Sequence, residues 1–513
     1  MICLRRAPVF VAVAAAFASL TLSATAQAQG LDPAPASMCG TRTPFVANDT
    51  VSADSRVLIR FSAGLASDPN DAFLARALGT LTADRIREAL DVDVRSRGLS
   101  GGTTTNADAA SAVAEGRVLG VRFVLSGTVT RNDDRSIVNW RLVDARSGRE
   151  QSSGTITQQY GQADSLVGAM TSALTRAFGK PSFVPQPQDR LTTRKREALL
   201  AYLQALTESD AFDRERLARA DSLFNVAVSA DPNFAAARYK LAELALRQLD
   251  YVEQREAERA ALFTKGMWNV GAVLLRDPLN TRALALLGRL TLHGTSPQLA
   301  LPIVAALQRL APGNAETATL EAQTLRALGR DADALRTVRA AGTAVDRNVS
   351  ALMVRADLER RVGDVTNACR SLNRAVALDP LFAPAYVWRA VVRSTLGERR
   401  EGWADAEVAA RLGRRDWGEL TGALIDLSMR DTVRAKARVK PLMLDASLQE
   451  ASWLDLVLRA AVTHGLRVPN QAQLAVRQIP CREPRRAMLA REPLLKFLRI
   501  PPECGGARPQ PKA

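Results

Sequence analysis

Arginine is the residue type with the clearest chemical potential in this chain of 513 residues. Only eight of its 69 basic residues are lysine, and the formal net charge is +16. Arginine binds a carboxylate through two parallel hydrogen bonds, so an aligned set of arginines suits an acidic protein segment. A basic balance also suits nucleic acid or anionic lipid. The arginines are spread along the chain and not concentrated in blocks, which favours a compositional origin such as a GC-rich genome.

Residues for catalysis or metal binding are sparse. The two histidines, His293 and His464, are isolated in the sequence, so we expect no histidine metal cluster. The glycine-rich stretch at 97–102 lacks the Lys-Ser/Thr pair of a phosphate-binding loop, and no nucleophile, kinase or protease signature appears. The basic residues lack interleaved aromatic residues, which argues against a nucleic-acid partner. We therefore expect a non-enzymatic protein without metal or cofactor.

Residues 1–28 have the pattern of a secretory signal peptide. Arg5 and Arg6 precede an apolar stretch, 9–22, that is too short for a comfortable membrane span. Small residues at 24–28 then offer two cleavage sites. We expect Sec or twin-arginine export, which the sequence does not distinguish, and a mature chain in the periplasm or outside the cell. No later apolar run is long enough to cross a bilayer, and peripheral association with the envelope stays open.

Export would place the cysteines in an oxidising compartment, where disulfides form. Cys481 and Cys504 flank a short proline-containing stretch and could either form a disulfide or remain thiols. Cys369 lies in an apolar helical pattern and is expected to be an unpaired core residue. Cys39 lies too far beyond the apolar stretch to be a lipoprotein acceptor.

A long period divides the rest of the chain. Gly329, Gly363 and Gly397 lie 34 residues apart, and Pro278 and Pro312 keep the same step. This period is the length of a helix–turn–helix unit that stacks on its neighbours into a solenoid. Each glycine can end the first helix of a pair in a left-handed conformation. The pattern predicts an all-α solenoid over 194–447, with six repeats and a weaker seventh near 417–447.

One unit carries Ala220, Phe224 and Ala227 before Asp231-Pro232, and it resembles the second half of a tetratricopeptide repeat. This resemblance implies a concave protein-binding groove lined by the first helix of each pair. The residues at positions corresponding to that concave face are Tyr239, Arg247, Arg289, Arg326, Arg360 and Arg361.

Stacked repeats would align those arginines into a ladder for an extended acidic peptide. Arginines one repeat apart are not all expected to find carboxylates on the same solenoid, so some should remain available to a partner. The competing interpretation is a solvated face whose charge is compensated by Glu243, Glu316 and Asp357.

Residues 448–504 are expected to form a helical carboxy-terminal cap over the open apolar end of the solenoid. Within this part, the segment from Glu492 to Leu498 resembles the short closing segment that often follows such repeats. The last residues, 505–513, are expected to form a disordered tail.

Residues 40–180 do not follow the long period. Apolar runs at 56–61, 92–96, 123–130, 137–144 and 151–159 have strand patterns, and helical patterns lie at 68–90, 107–119 and 165–178. The predicted order is β-α-β-α-β-β-β-α, an α+β amino-terminal domain.

Two stretches, VLGVRFVLSGTV at 118–129 and LVDARSGR at 142–149, resemble the TolB-like (FlgO-like) amino-terminal domain. Arg60 and Arg122 stand where that family usually has a proline and an acidic residue. The resemblance implies a protein-interaction or assembly role in the bacterial envelope and no catalytic residues. We therefore expect an exported, non-enzymatic protein-binding adaptor; the alternative is a structural subunit of a cell-envelope assembly.

Overall fold

The computed structural model of the chain describes separate stretches of it. They are Cys39, 56–63, 69–89, 93–95, 109–118, 121–132, 135–159, 163–178, 193, 195–209, 212–252, 256–294, 296–443, 452–468 and 491–496. The expected signal peptide at 1–28, the tail at 505–513, and both Cys481 and Cys504 lie outside these residues. None of the described helices is long and apolar enough to cross a membrane.

Among its described residues, the amino-terminal part contains a five-stranded mixed sheet with three helices. In chain order these elements are β1 (Arg56–Ala63), α1 (Pro69–Ala89), β2 (Asp93–Arg95), α2 (Ala109–Val118), β3 (Phe123–Asn132), β4 (Arg135–Asp144), β5 (Glu150–Gln159) and α3 (Ala163–Ala177). The sheet order is β2-β1-β3-β4-β5. β1 runs parallel to β2 and β3, and β3, β4 and β5 form an antiparallel meander. The predicted β-α-β-α-β-β-β-α order is confirmed.

Alternation explains which face of β4 is buried. Val138 and Leu142 are fully buried, while Asn139 and Arg141 between them are exposed. The turn after β4 needs a residue with positive φ, which Gly148 supplies at +72°. These local signals make the strand pattern readable from the sequence.

The described residues from 196 to 443 form seven helix pairs. They are α4 (Arg196–Glu208) with α5 (Arg214–Ala230), α6 (Ala235–Tyr251) with α7 (Glu256–Leu274), α8 (Thr281–Thr291) with α9 (Leu301–Leu310), α10 (Ala315–Ala327) with α11 (Asp331–Ala340), α12 (Val349–Arg361) with α13 (Val365–Leu378), α14 (Ala383–Thr395) with α15 (Arg399–Arg411), and α16 (Arg415–Ser428) with α17 (Thr432–Met443). A later helix, α18, spans Trp453–Gly465. Each pair packs as a helical hairpin, as the 34-residue period predicts.

The periodic glycines end first helices as predicted. Gly329, Gly363 and Gly397 have φ values of +83°, +86° and +85°. At each site the next residue donates its backbone N–H to a carbonyl five residues earlier, over 2.8–2.9 Å. This is the left-handed helix end that glycine adopts without a side-chain clash.

The first repeat shares a core with the α+β part. Leu78 on α1 and Met170 on α3 belong to the same buried cluster as Tyr202 on α4 and Phe224 on α5. Phe224 is fully buried, and its ring centroid lies 5.7 Å from that of Tyr202. The sheet part and the solenoid are therefore joined by continuous apolar packing.

The repeat array also closes on itself. Phe212, which lies between α4 and α5, contacts Phe382 before α14 and Trp417 on α16, with ring centroids 5.3 Å and 6.2 Å apart. Arg414 donates from Nη1 to the carbonyl oxygen of Tyr251 over 2.8 Å. The first two repeats thus meet the last two. Helix α18 packs against α16 and also contacts α6, so it reaches beyond the final repeat.

The expectation that Cys369 is unpaired is wrong. Cys369 on α13 forms a disulfide with Cys39, with the two Cα atoms 5.4 Å apart. The Cys39 carbonyl accepts a hydrogen bond from Asn373 Nδ2 over 2.6 Å, and its N–H donates to Glu398 Oε1 over 3.0 Å. These contacts hold Cys39 across a separation of 330 residues, a pairing that sequence spacing does not indicate.

Candidate partner-binding groove

The inner face of the closed array borders a cavity of about 190 Å³, here called the inner cavity. The first helices of successive pairs line it, and α18 covers one side. One lining residue from each of α6, α8, α10, α12, α14 and α18 is, in that order, Asp250, Arg289, Gln323, Met353, Trp388 and Trp453. The repeats therefore bring side chains that are far apart in sequence to one surface.

Asparagine caps set the register of the lining helices. Asn280, Asn314 and Asn348 lie 34 residues apart and begin α8, α10 and α12. Each side chain accepts a backbone N–H from the first turn, over 2.7–3.0 Å. Such a cap satisfies a donor that has no partner within the helix. Since the three helices start in phase, equal offsets from the caps fall in rows.

Two rows result, nine and twelve residues after each asparagine. The first row is Arg289, Gln323 and Asp357, and the second is Leu292, Arg326 and Arg360. Arg326 and Arg360 are therefore equivalent positions. Arg289 lies one helical turn earlier, in the row of an amide and a carboxylate, so the predicted ladder is staggered.

Three of the predicted arginines converge on one aspartate. Asp357 accepts hydrogen bonds from Arg326 Nη1 over 2.7 Å, from Arg360 Nη2 over 2.8 Å and from Arg361 Nε over 2.9 Å. The Arg360 guanidinium also lies over the Trp388 ring, 4.4 Å from its centroid. The competing interpretation had named Asp357 as a compensating charge, and these contacts agree with it.

The same arginines hold a second carboxylate, from a distant part of the chain. Glu492 accepts from Arg360 Nη1 over 2.6 Å, and its other oxygen accepts from Arg360 Nη2 and Arg361 Nη2 over 3.0 Å each. The Glu492 side chain is 0% exposed. We call Arg326, Arg360, Arg361, Asp357 and Glu492 the arginine clamp.

Backbone contacts fasten the segment that carries Glu492. Arg491 donates to the carbonyl oxygens of Arg326 and Ala327, over 3.2 Å and 2.9 Å, at the end of α10. Arg361 Nη1 donates to the carbonyl of Arg491 over 3.2 Å. A 3₁₀ turn, Pro493–Leu495, follows and buries Leu495.

The clamp keeps its aspartate ionised. Burial opposes the charge, but Arg361, Arg360 and Arg326 together hold the pKa of Asp357 well below its usual value. Burial likewise opposes the charge of Arg360, while Glu492 and Asp357 raise its pKa. Opposite charges at hydrogen-bond distance outweigh desolvation here.

The inner cavity contains a second group of charges. His293 Nε2 lies 3.0 Å from Asp250 Oδ1. Burial opposes ionisation of Asp250, but His293, Arg289 and Arg326 lower its pKa overall. Arg289 itself makes no hydrogen bond or ion pair with the described residues, although it lines the cavity.

Tyr239 and Arg247 do not line the inner cavity. Arg282 lies over the Tyr239 ring, 5.3 Å from its centroid, and burial raises the pKa of Tyr239. Arg247 Nη1 donates to the carbonyl of Ser209 over 2.9 Å, and its guanidinium lies over Phe212. Both residues thus stabilise the packing of the early repeats.

We expected that not all of the aligned arginines would find carboxylates within the chain. Arg326, Arg360 and Arg361 do find them, in Asp357 and Glu492, whereas Arg289 makes no ion pair with the described residues. Whether any of the six residues binds a partner stays a prediction. Sequence reasoning missed the role of Glu492, although the closing-segment resemblance marked its neighbourhood. His293 pairs with Asp250, and the described residues contain no group of three side chains that could hold a metal ion.

No family model matches the chain, and no curated protein matches it. Among solved structures, it is similar to a tetratricopeptide repeat protein from Parabacteroides merdae, with 17% identity, a TM-score of 0.34, and 51% of this chain and 98% of that chain covered. It is also similar to PilW, a type IV pilus biogenesis factor, with 17% identity and a TM-score of 0.33. That match covers 41% of this chain and 93% of PilW. A third similar structure is TolB from Acinetobacter baumannii, with 11% identity and a TM-score of 0.19; the match covers 24% of this chain and 28% of that chain.

Proposed function

We propose that this chain is a non-enzymatic protein-binding adaptor whose inner groove takes an acidic segment. The observation that carries the proposal is the burial of Glu492 between Arg360 and Arg361. Asp357 belongs to the groove wall, but Glu492 comes from a segment outside the repeats. The groove thus already holds a short acidic segment in cis, and a partner segment with a similar glutamate would satisfy the same donors.

Export to an oxidising compartment forms part of the proposal. The signal-peptide pattern at 1–28 motivates it, and the Cys39–Cys369 disulfide supports it, because such bonds persist mainly in secreted and periplasmic proteins. We place the mature chain in the periplasm or outside the cell.

The α+β part is proposed to be a TolB-like docking module. Its motifs at 118–129 and 142–149 support this assignment, together with its β-α-β-α-β-β-β-α order of elements. The exposed side chains along β5 leave one strand at the sheet edge facing outward. Because this part shares a core with the first repeat, docking there would be transmitted to the solenoid through apolar packing.

The test uses a peptide that copies residues 488–499 with a fluorescent label. The full chain carries Glu492→Gln, which removes the charge of the cis segment and keeps its shape. A tethered segment competes at an effective concentration of about millimolar, so binding in trans should be at least about tenfold tighter to this variant than to the unmodified chain. Fluorescence anisotropy measures both affinities.

Glu407→Gln is the matched control, because Glu407 is exposed on α15 and should not change the affinity. A second peptide, with Gln in place of its Glu, should bind neither chain. Equal binding of the two peptides, or no binding to a folded Glu492→Gln variant, would contradict the proposal. Reversing the charges of Arg326 and Arg360 is a poorer test, since it would leave buried carboxylates unpaired and unfold the groove.

A structural subunit of an envelope assembly is the second candidate. Trp268 and Leu275 of the second repeat are 74% and 87% exposed, and a permanent interface would remove both apolar side chains from water. An assembly subunit would stay bound through detergent extraction, whereas an adaptor would exchange its partners. Co-purification before and after extraction separates the two.

A further inference from the structure

The inner cavity contains polar groups that its own walls leave unsatisfied. The side-chain oxygen of Gln323 and the Nε of Arg326 are both buried, and neither has a hydrogen-bond partner among the described residues. The two residues lie one turn apart on α10, and both line the same cavity as Arg289. A buried polar atom without a partner is destabilising, so a ligand that pairs with such atoms is favoured.

The charged side chains that line the inner cavity indicate that the ligand carries a negative charge. Asp250 already pairs with His293, and Asp357 accepts from three arginines. Arg289 lines the same space and lies close enough to Asp250 and Glu316 to favour their ionised forms, but it makes no hydrogen bond or ion pair with the described residues. A ligand carboxylate is the group that would complete the coordination of Arg289, because guanidinium and carboxylate match in charge and in geometry.

The apolar lining and the volume of the inner cavity indicate the size and the apolar character of the ligand. Leu246, Met353 and Trp388 form apolar surface around the charged groups. An apolar cavity of about 150 Å³ holds a molecule of the size of benzene, so 190 Å³ suits a side chain such as that of leucine. The oxygen of Gln323 requires a donor on the ligand, near its carboxylate.

We propose that the inner cavity is a binding site for an α-carboxylate next to an N–H group on an apolar body. Free apolar amino acids and the carboxy-terminal residue of a peptide share this chemistry. The carboxylate would bind Arg289 and the Nε of Arg326, the N–H would donate to Gln323, and the apolar body would pack on Trp388. This site is distinct from the glutamate position of the arginine clamp and does not depend on the proposed function.

Calorimetry with three probes tests the site on the full chain. L-leucine represents the free amino acid, N-acetyl-L-leucine represents a chain end, and N-acetyl-L-leucinamide lacks the carboxylate. We expect at least one of the two carboxylate probes to bind, and the amide to bind at least tenfold more weakly. The stronger carboxylate probe identifies the source of the ligand.

Arg289→Gln should weaken the better probe at least tenfold, since it removes the cation. Arg309→Gln, at an exposed position on α9, should not change the affinity. With methyl-labelled methionine, the Met353 resonance should shift on binding, while that of Met429, exposed at the end of α16, should not. Peptide binding at the clamp should survive Arg289→Gln, which separates the two sites.

Three results would overturn the proposal: no binding of either carboxylate probe at millimolar concentration, equal binding of the amide, or unchanged affinity in Arg289→Gln. Failure of the labelled peptide at the clamp would leave the cavity result standing. Loss of leucine binding alone would leave the adaptor function standing.

Discussion

At the scale of residues, the groove depends on where each helix begins. Three asparagine caps in phase place Arg326 and Arg360 in one row and put Arg289 a turn earlier. Two of these arginines thereby meet around Asp357, while Arg289 is left beside the inner cavity. Arg289 follows its asparagine cap by nine residues, and Arg326 and Arg360 follow theirs by twelve. This difference places Arg326 and Arg360 in ion pairs and leaves Arg289 as a candidate ligand-binding cation.

Asp357→Asn should destabilise the chain, because three arginines lose a buried counter-ion. Removing one partner of a buried ion pair costs about 3–5 kcal/mol. The lowered pKa of Asp357 means that its contribution is complete above the unfolded value of about 4 and is lost as the pH falls through the folded value. Denaturant unfolding should therefore show that the difference in free energy of unfolding between the unmodified chain and Asp357→Asn becomes smaller as the solution is acidified below about pH 4.

Asp333→Asn is the control for that measurement, since Asp333 pairs with Arg330 and Arg336 on an exposed helix surface. It should change stability little. A gap between Asp357→Asn and the unmodified chain that stays constant from neutral to acid pH would rule out the proposed ionic role.

At the scale of elements, the α+β part and the solenoid are coupled through α1, α3 and the first repeat. Their common buried cluster contains Leu78 and Met170 from one side and Tyr202 and Phe224 from the other. Repeat proteins usually confine damage to neighbouring units. Here the first repeat packs against the α+β part, so a mutation that destabilises this repeat should also destabilise the α+β part.

Phe224→Ala should cost about 3–5 kcal/mol, the usual range for truncating a buried phenylalanine. Hydrogen exchange should accelerate in α4, α5 and α6, and also in α1 and α3, because all of them pack around this core. Val226→Ala, on the same helix but 42% exposed, is the control and should leave exchange unchanged. If acceleration stops at residue 196, the two parts do not share a cooperative core.

Local signals explain how much of this fold the sequence predicts. Alternation in β4 and the glycines at 329, 363 and 397 depend on neighbouring residues, and the structure confirms both. The contacts of Glu492 with Arg360 and of Cys39 with Cys369 join residues 132 and 330 positions apart. Such contacts depend on the accumulated curvature of the array, which no local pattern contains.

At the scale of the molecule, closure of the array turns an open concave face into an interior. The aromatic rings of Phe212, Tyr251, Phe382 and Trp417 meet where early and late repeats touch. Tyr251 also lines the inner cavity, so the closure contact and the candidate ligand site share a wall. This closed geometry agrees better with the proposed short acidic segment and small carboxylate than with an extended peptide lying along an open groove.

Phe212→Ala should open the array without unfolding its repeats. Phe212 contacts three other aromatic rings, and truncating such a buried side chain costs about 3–5 kcal/mol. Because each repeat is stabilised mainly by its neighbours, helicity should persist while the ends separate. Small-angle scattering should give a larger radius of gyration, and circular dichroism should be unchanged. Trp268→Ala, at an exposed aromatic position, should alter neither measurement.

The same variant connects closure to ligand binding. If the meeting of early and late repeats shapes the inner cavity, Phe212→Ala should weaken binding of the better leucine probe at least tenfold, while Trp268→Ala should not. An expanded Phe212→Ala chain that binds the probe with unchanged affinity would mean that the cavity is built by adjacent repeats alone. If the radius of gyration is unchanged and the helicity falls, Phe212 stabilises the first repeat itself and does not hold the early and late repeats together.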